Sequence, residues 1–266
     1  MSDDDIFKPG AIEDVLRGIA QGHDVIIVNA EVQNSECTRL LMPKVAKITE
    51  DRVYSPGEDE QFFIDAANLL SYIGATVVKK SFWQNRPREP YYGTDFLHVG
   101  VIFQKPIEGT ALLIAKPLIS QRYGVAIWSP RRFEVSIVHW PSLIWSFHTV
   151  SETAKRRICL RYPWESFRDL TYRRATAAYT FQHFSKYVMP AKVSLYSKMM
   201  ALVISLLPGV FTNLAALIYY TQIKKSEIAI VDLKGCAFYP PNRYKRLMGT
   251  RVGLVKQGRP VRARNV

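Results

Sequence analysis

The sequence predicts an α+β fold: a central, mostly antiparallel sheet, an N-terminal helix, and a helical C-terminal half containing an apolar hairpin or membrane segment. Three observations predict it. Apolar residues recur at helical spacing in 11–21 and then run together in DVIIVNA (24–30). A group of short β-favouring runs separated by turn residues occupies 96–140. From 151 onward the β pattern gives way to helical spacing, and 199–223 carries no charged side chain. These boundaries divide the chain into a sheet region 1–150, a helical region 151–223 and a basic strand and tail 224–266.

The first helix begins after Pro9-Gly10, places Ile12, Val15, Leu16 and Ile19 at helical spacing and closes at Gly22. The DVIIVNA run behind it reads as a buried strand. Residues 31–60 are mixed and end in the loop signal Ser55-Pro56-Gly57-Glu58-Asp59-Glu60. QFFIDAANLLSYIGATVVKK (61–80) reads as a helix passing into a strand at Gly74. Strands are expected at 96–103, 110–115, 124–128 and 133–140, with Lys105-Pro106, Glu108-Gly109 and Ser129-Pro130 among the turns. The helical spacing of 151–187 is interrupted at Pro163 and ended by Pro190, and EIAIVDL (227–233) reads as a last strand.

With 48% hydrophobic and 22% charged residues over 266 positions, the composition excludes a disordered chain and allows a sizeable core. Cys37, Cys159 and Cys236, an odd number with no CxxC, argue against a disulfide framework and a structural zinc site. His139 and His148 lack carboxylates at ligand spacing, so no metal is expected. The absence of GxxxxGK[ST] and GxGxxG removes the common phosphate loops, and no cofactor is expected. Asp65 and Asp95 read as isolated acids. MSDDDIFKPG has neither a basic n-region nor an apolar h-region, which predicts a cytoplasmic or membrane-associated protein without a signal peptide.

The formal charge is +13, and the excess is concentrated at the end of the chain. Residues 224–266 hold eleven Lys/Arg, the first Lys224 and the last Arg264, against Glu227 and Asp232, a net +9. Such a segment attracts polyanions, either anionic lipid or nucleic acid, or serves as a solvated tail. YRRATAAY (172–179) and the tail interleave basic and aromatic residues without any nucleic-acid-binding consensus. The 25 uncharged residues of 199–223 would extend roughly 37 Å as one helix, enough to cross a bilayer core of about 30 Å. Pro208-Gly209 at their centre allows instead two short helices forming a buried hairpin. The segment is a candidate membrane contact or a core element; the oligomeric state is not readable.

GTDFLHVGVIFQ (93–104) places His98 at the start of an apolar run with glycine two residues on. At a strand start, an imidazole at the sheet rim can take a proton from a thiol on an opposing helix N-terminus. Gly100 would allow close approach of a helix or a substrate. This stretch resembles the histidine motif of the NlpC/P60 and permuted papain-like superfamily. GHDVIIV (22–28), LLSYIGATVVKK (69–80) and GVAIWSPRRF (124–133) are similar to its other conserved strands and helix, so the resemblance spans about 22–140. It implies a papain-like thiol hydrolase or acyltransferase, or an inactive relative used for binding, attached to a membrane or an assembly. His98 would then be the general base.

For the nucleophile the resemblance leaves alternatives. Cys159 in RRICLRYPWESF follows the sheet and precedes a helix, and Arg156 and Arg157 beside it would lower a thiol pKa. Cys37 in NSECTRLL has the chain order of the unpermuted form, whereas Cys236, before a proline turn, is a poor site for a nucleophile. The Cys-Ser-Glu-Leu, Asn-Cys-Glu-His and Asp-Cys-Ser-Gly strings of the family do not occur, and Lys116 stands where permuted members often carry glutamate. The alternative of a different class is a non-catalytic structural or interaction protein, of viral or phage type, that binds lipid, nucleic acid or a protein partner.

Overall fold

In the computed structural model, residues 5–124 and 131–241 are described. Among the described residues six strands form one mixed sheet: β1 (Asp5–Phe7), β2 (Val25–Gln33), β3 (Leu40–Met42), β4 (Arg52–Tyr54), β5 (Thr76–Val78) and β6 (Ala111–Arg122). The order is β1-β6-β2-β3, with β4 also paired to β6 and β5 to β2. The four outer ladders are antiparallel, as expected, but the central β2/β6 pair is parallel, running from Val25↔Ala111 to Gln33↔Arg122. Parallel pairing requires a long crossover. The chain between β2 and β6 supplies it and leaves β2 buried from Val25 to Val32.

The helix α1 (Ala11–Ala20) covers one face of the sheet. It sits close because Gly18 has no side chain: a Cβ there would lie 3.0 Å from Leu112 and 3.1 Å from Ile26. The apolar positions that predict this helix are not its buried face. Ala11 and Gly18 are inside, while Ile12, Leu16 and Ile19 are exposed. Tyr54 lies on the other face of the sheet and meets Phe62 of α2 (Asp59–Leu70) at a ring separation of 5.0 Å. There α2 packs with Phe103 and Phe147. The passage from α2 into β5 occurs at Gly74, as predicted.

Two of the expected strands are helices. Residues 96–103 form α4 (Leu97–Phe103), six of whose seven residues are buried. Residues 133–140 form a π-helical segment, Glu134–His139, leading into α5 (Trp140–Ser146). A short, wholly apolar run cannot distinguish a strand from a helix buried on all sides. Pro141 also lacks the N–H that would close an α-turn onto Ile137, which favours the wider turn before it. EIAIVDL is likewise helical: in α11 (Glu227–Gly235) the Ser226 hydroxyl accepts from the Ala229 amide and Glu227 occupies the first turn. The expected strand 124–128 lies outside the described residues apart from Gly124.

A short helix, α3 (Lys80–Gln84), precedes α4. Beyond α5 come α6 (Glu152–Ile158) and α7 (Phe167–Ala175), separated by a 3-10 turn at Pro163–Glu165. α8 (Phe181–His183) runs into a second π-helical segment, Phe184–Val188, just before Pro190. The apolar segment becomes α9 (Leu195–Leu206) and α10 (Gly209–Gln222), bent by 99° at Leu207-Pro208. Arg174 of α7 caps α9 by donating to the Leu207 carbonyl at 2.6 and 2.9 Å. Among the described residues no single helix is long and apolar enough to cross a membrane.

Buried side chains form two clusters. One, around β2, β6, α2 and α4, extends from Ala11 to Ala154. The second joins Phe133, Ile137, Trp164, Leu170, Tyr179 and Phe184 to Ala201 and Ile204 of α9. The helix that includes Phe133 and α5 serves both, because Val135 and Ile144 face the first cluster while Phe133 and Ile137 face the second.

Candidate functional site

His98 sits in the first turn of α4, not at a strand rim, and is 6% exposed. Its Nε2 is 2.7 Å from the Leu70 carbonyl at the end of α2. Burial holds the imidazole pKa below its ordinary value, and the carbonyl partner opposes that shift only in part. Gly100 admits the Tyr91 ring, not a substrate: a Cβ there would lie 2.2 Å from the Tyr91 Cδ1.

Among the described residues no cysteine is a hydrogen-bond partner of this imidazole. Cys159 is the C-cap of α6, and its carbonyl accepts from Trp145 Nε1 at 3.3 Å. Burial pushes the thiol up to about 12, the opposite of the expected effect of Arg156 and Arg157. Arg156 instead lies over the Trp145 ring at 5.7 Å and pairs with Glu152 at 3.5 Å. Cys37 occupies the turn between β2 and β3 in a left-handed conformation, φ 55°. The Cys236 sulfur lies among Asn213 Nδ2 and the carbonyls of Ala175 and Leu233, and burial raises its pKa too.

The acids that read as isolated are partnered. Asp65 accepts from Arg52, Tyr54 and Gln61. Asp95 lies 2.5 Å from His139 Nδ1 and 3.5 Å from Arg131. This pair is 44 residues apart in sequence and left no local signal. The neighbouring Ser136 and Ser142 hydroxyls turn back to the Arg132 and Val138 carbonyls, so neither is aligned on the imidazole as a nucleophile. Among the described residues no three His, Cys, Asp or Glu side chains converge on a metal position.

The feature that departs furthest from an ordinary soluble surface is α9–α10. On α9 the outward side chains are Leu195, Tyr196, Met199, Val203 and Leu206, all apolar or aromatic and within about a third of the helix circumference. The inward side chains are Ser197, Ala201, Ile204 and Ser205, which are smaller and more polar. α10 repeats the inversion. Phe211 (72% exposed), Leu214 and Ile218 (64%) face out, while Gly209 and Asn213 are buried.

Most inner polar groups are bonded within the protein: Asn213 donates to the Ala175 and Leu233 carbonyls at 3.0 Å, and Ser205 donates to the Leu202 carbonyl at 2.7 Å, while the buried Asn213 Oδ1 has no hydrogen-bond partner among the described residues. Gly209 makes room for Phe238, whose ring atoms would lie 2.4–2.5 Å from a Cβ. Eight large apolar or aromatic side chains on these two helices are 38–74% exposed, and clustered apolar exposure on a monomer marks an interaction surface. At ~18 and ~21 Å each helix is shorter than a bilayer core.

Comparison of the chain with known protein families, curated proteins and solved structures finds no match.

Proposed function

We propose that this chain is a non-catalytic interaction protein that attaches to a membrane surface through the outward face of α9–α10. The observation that carries the reading is the inversion of those helices, with serines and asparagine inside and Leu206, Phe211 and Ile218 outside. A helix surface of this kind lies in the interfacial plane, with its apolar side about 5–10 Å into the boundary between headgroups and acyl chains. Two short helices set at 99°, neither long enough alone to cross a bilayer, offer such a face. The thiol-hydrolase reading rests on the resemblance around His98 and gains no support from the geometry. The imidazole is engaged by Leu70, and the Cys159 thiol is held protonated by burial.

The test is flotation of the full chain with phospholipid vesicles containing about one-third phosphatidylserine. Wild type is expected in the vesicle fraction. Leu206→Glu combined with Phe211→Glu should lower the affinity by about 100-fold or more, since each charge costs about 2–3 kcal/mol within the apolar layer. Both positions are solvent-facing, so the variant should keep the wild-type far-UV circular dichroism and melting temperature. Wild type that stays unbound at every lipid concentration overturns the reading.

A further inference from the structure

Resting on the membrane reading above, we infer that the partner surface is an anionic leaflet, and that lysines at the ends of the α9–α10 unit read its headgroups. Between Asp169 and Glu227 the sequence contains no Asp or Glu, so the stretch that builds this face holds only positive charge. Lys192 precedes α9, Lys198 lies in its first turn, and Lys224 and Lys225 follow α10. Among the described residues no carboxylate forms an ion pair with any of the four.

Four acids of the surrounding elements have partners of their own, one of them Asp169, which acts on Tyr220 of α10 and pairs with Arg168 at 3.6 Å. Asp232 accepts from Arg132 at 2.9 Å, Glu227 pairs with Arg39, and Glu134 pairs with Lys186 at 3.0 Å. A nucleic acid would satisfy these lysines but leave Leu206, Phe211 and Ile218 in water. A leaflet of phosphatidylserine or another anionic phospholipid satisfies both parts of the surface, the apolar face in the acyl boundary and the ammonium groups among the phosphates.

The experiment compares the full chain, tail unchanged, on vesicles of phosphatidylcholine alone and with one-third phosphatidylserine, at low and high salt. The variant is Lys224→Gln with Lys225→Asn, asparagine being chosen because Lys225 has φ 50° and asparagine tolerates left-handed backbone. Wild type should prefer the anionic vesicles and lose that preference in high salt. The variant should bind them roughly 20-fold more weakly, at about fivefold per lysine, and bind neutral vesicles as wild type does.

Equal binding to both vesicles, or a variant indistinguishable from wild type, overturns the anionic inference and leaves membrane attachment standing. Binding to neither vesicle overturns both. A variant that binds a mixed-sequence RNA more weakly while its vesicle affinity is unchanged assigns the lysines to nucleic acid and overturns the inference. Self-association abolished by Leu206→Glu, without vesicle binding, assigns the face to a second copy and overturns both.

Discussion

In α4 the imidazole of His98 is buried against the end of α2, where the Leu70 carbonyl engages its Nε2. Burial favours the neutral ring, so below the ordinary value of 6.5 the unfolded chain binds a proton that the folded chain resists. The contribution of this neutral ring is therefore complete above pH about 6.5 and declines as pH falls through that value toward the depressed folded one. We expect the urea midpoint of wild type to fall from pH 8 to pH 5 by more than that of His98→Gln, whose amide also donates to Leu70 but does not titrate. Parallel profiles would show that the ring is accessible to protons when folded. The same burial acts on Cys159: with a pKa of about 12, the thiolate fraction at neutral pH is on the order of one in 10⁵. Both residues stand out in sequence because histidine and cysteine are scarce, but their chemistry depends on desolvation, which a local string does not encode.

Elements were legible wherever capping or breaking residues bracket an apolar run. Gly22 after α1, Gly74 before β5, and Pro163, Pro190 and Pro208 at the helix ends mark boundaries the structure keeps. The runs 96–103, 133–140 and 227–233 are short helices made of β-favouring residues, and only their enclosure by neighbouring elements selects the helix. The candidate membrane face was half legible. The length and lack of charge of 199–223 were visible, but apolar residues lie on both sides of it, so periodicity did not reveal that Ser197, Ser205 and Asn213 mark the inside. The two π-helical segments were marked locally only by the prolines beyond them, Pro141 and Pro190, and one residue joins them: Glu134 of the first accepts from Tyr187 and Lys186 of the second. Those two donors hold its carboxyl down at about 2, against an ordinary 4.5. Its stabilising effect is complete above pH about 4.5 and is lost as pH falls toward 2. Melting temperatures between pH 6 and pH 3 should therefore fall more steeply for wild type than for Glu134→Gln, which keeps an acceptor for Tyr187 but has no charge to lose. Equal slopes would remove Glu134 from the acid sensitivity of the fold.

Across the whole molecule, the sheet cluster and the helical cluster meet at one buried carboxylate. Asp232 of α11 accepts from Tyr123 at the end of the sheet region, from Tyr172 of α7, both at 2.8 Å, and from Arg132 at 2.9 Å. Its side chain is 9% exposed. Desolvation works to lower the Arg132 guanidinium, but Asp232 together with the two tyrosines outweighs it and leaves the pKa above its ordinary value, while both tyrosines are shifted upward, chiefly by burial. Asp232→Ala removes the counter-charge and leaves the guanidinium and two hydroxyls without it, a loss of about 3–5 kcal/mol for a broken buried pair. For a chain of this size that corresponds to a fall of roughly 6–15 °C in melting temperature by calorimetry. Asp232→Asn should fall less, because its amide oxygen still accepts from one hydroxyl. Vesicle affinity measured well below either melting point should match wild type, since the outward side chains of α9 and α10 do not touch Asp232. A shift below about 2 °C for the alanine variant would mean that other contacts, apolar packing and the Arg39–Glu227 pair among them, hold the helical half to the sheet; loss of vesicle binding in a variant still folded would mean that this junction also sets the presentation of the α9–α10 face.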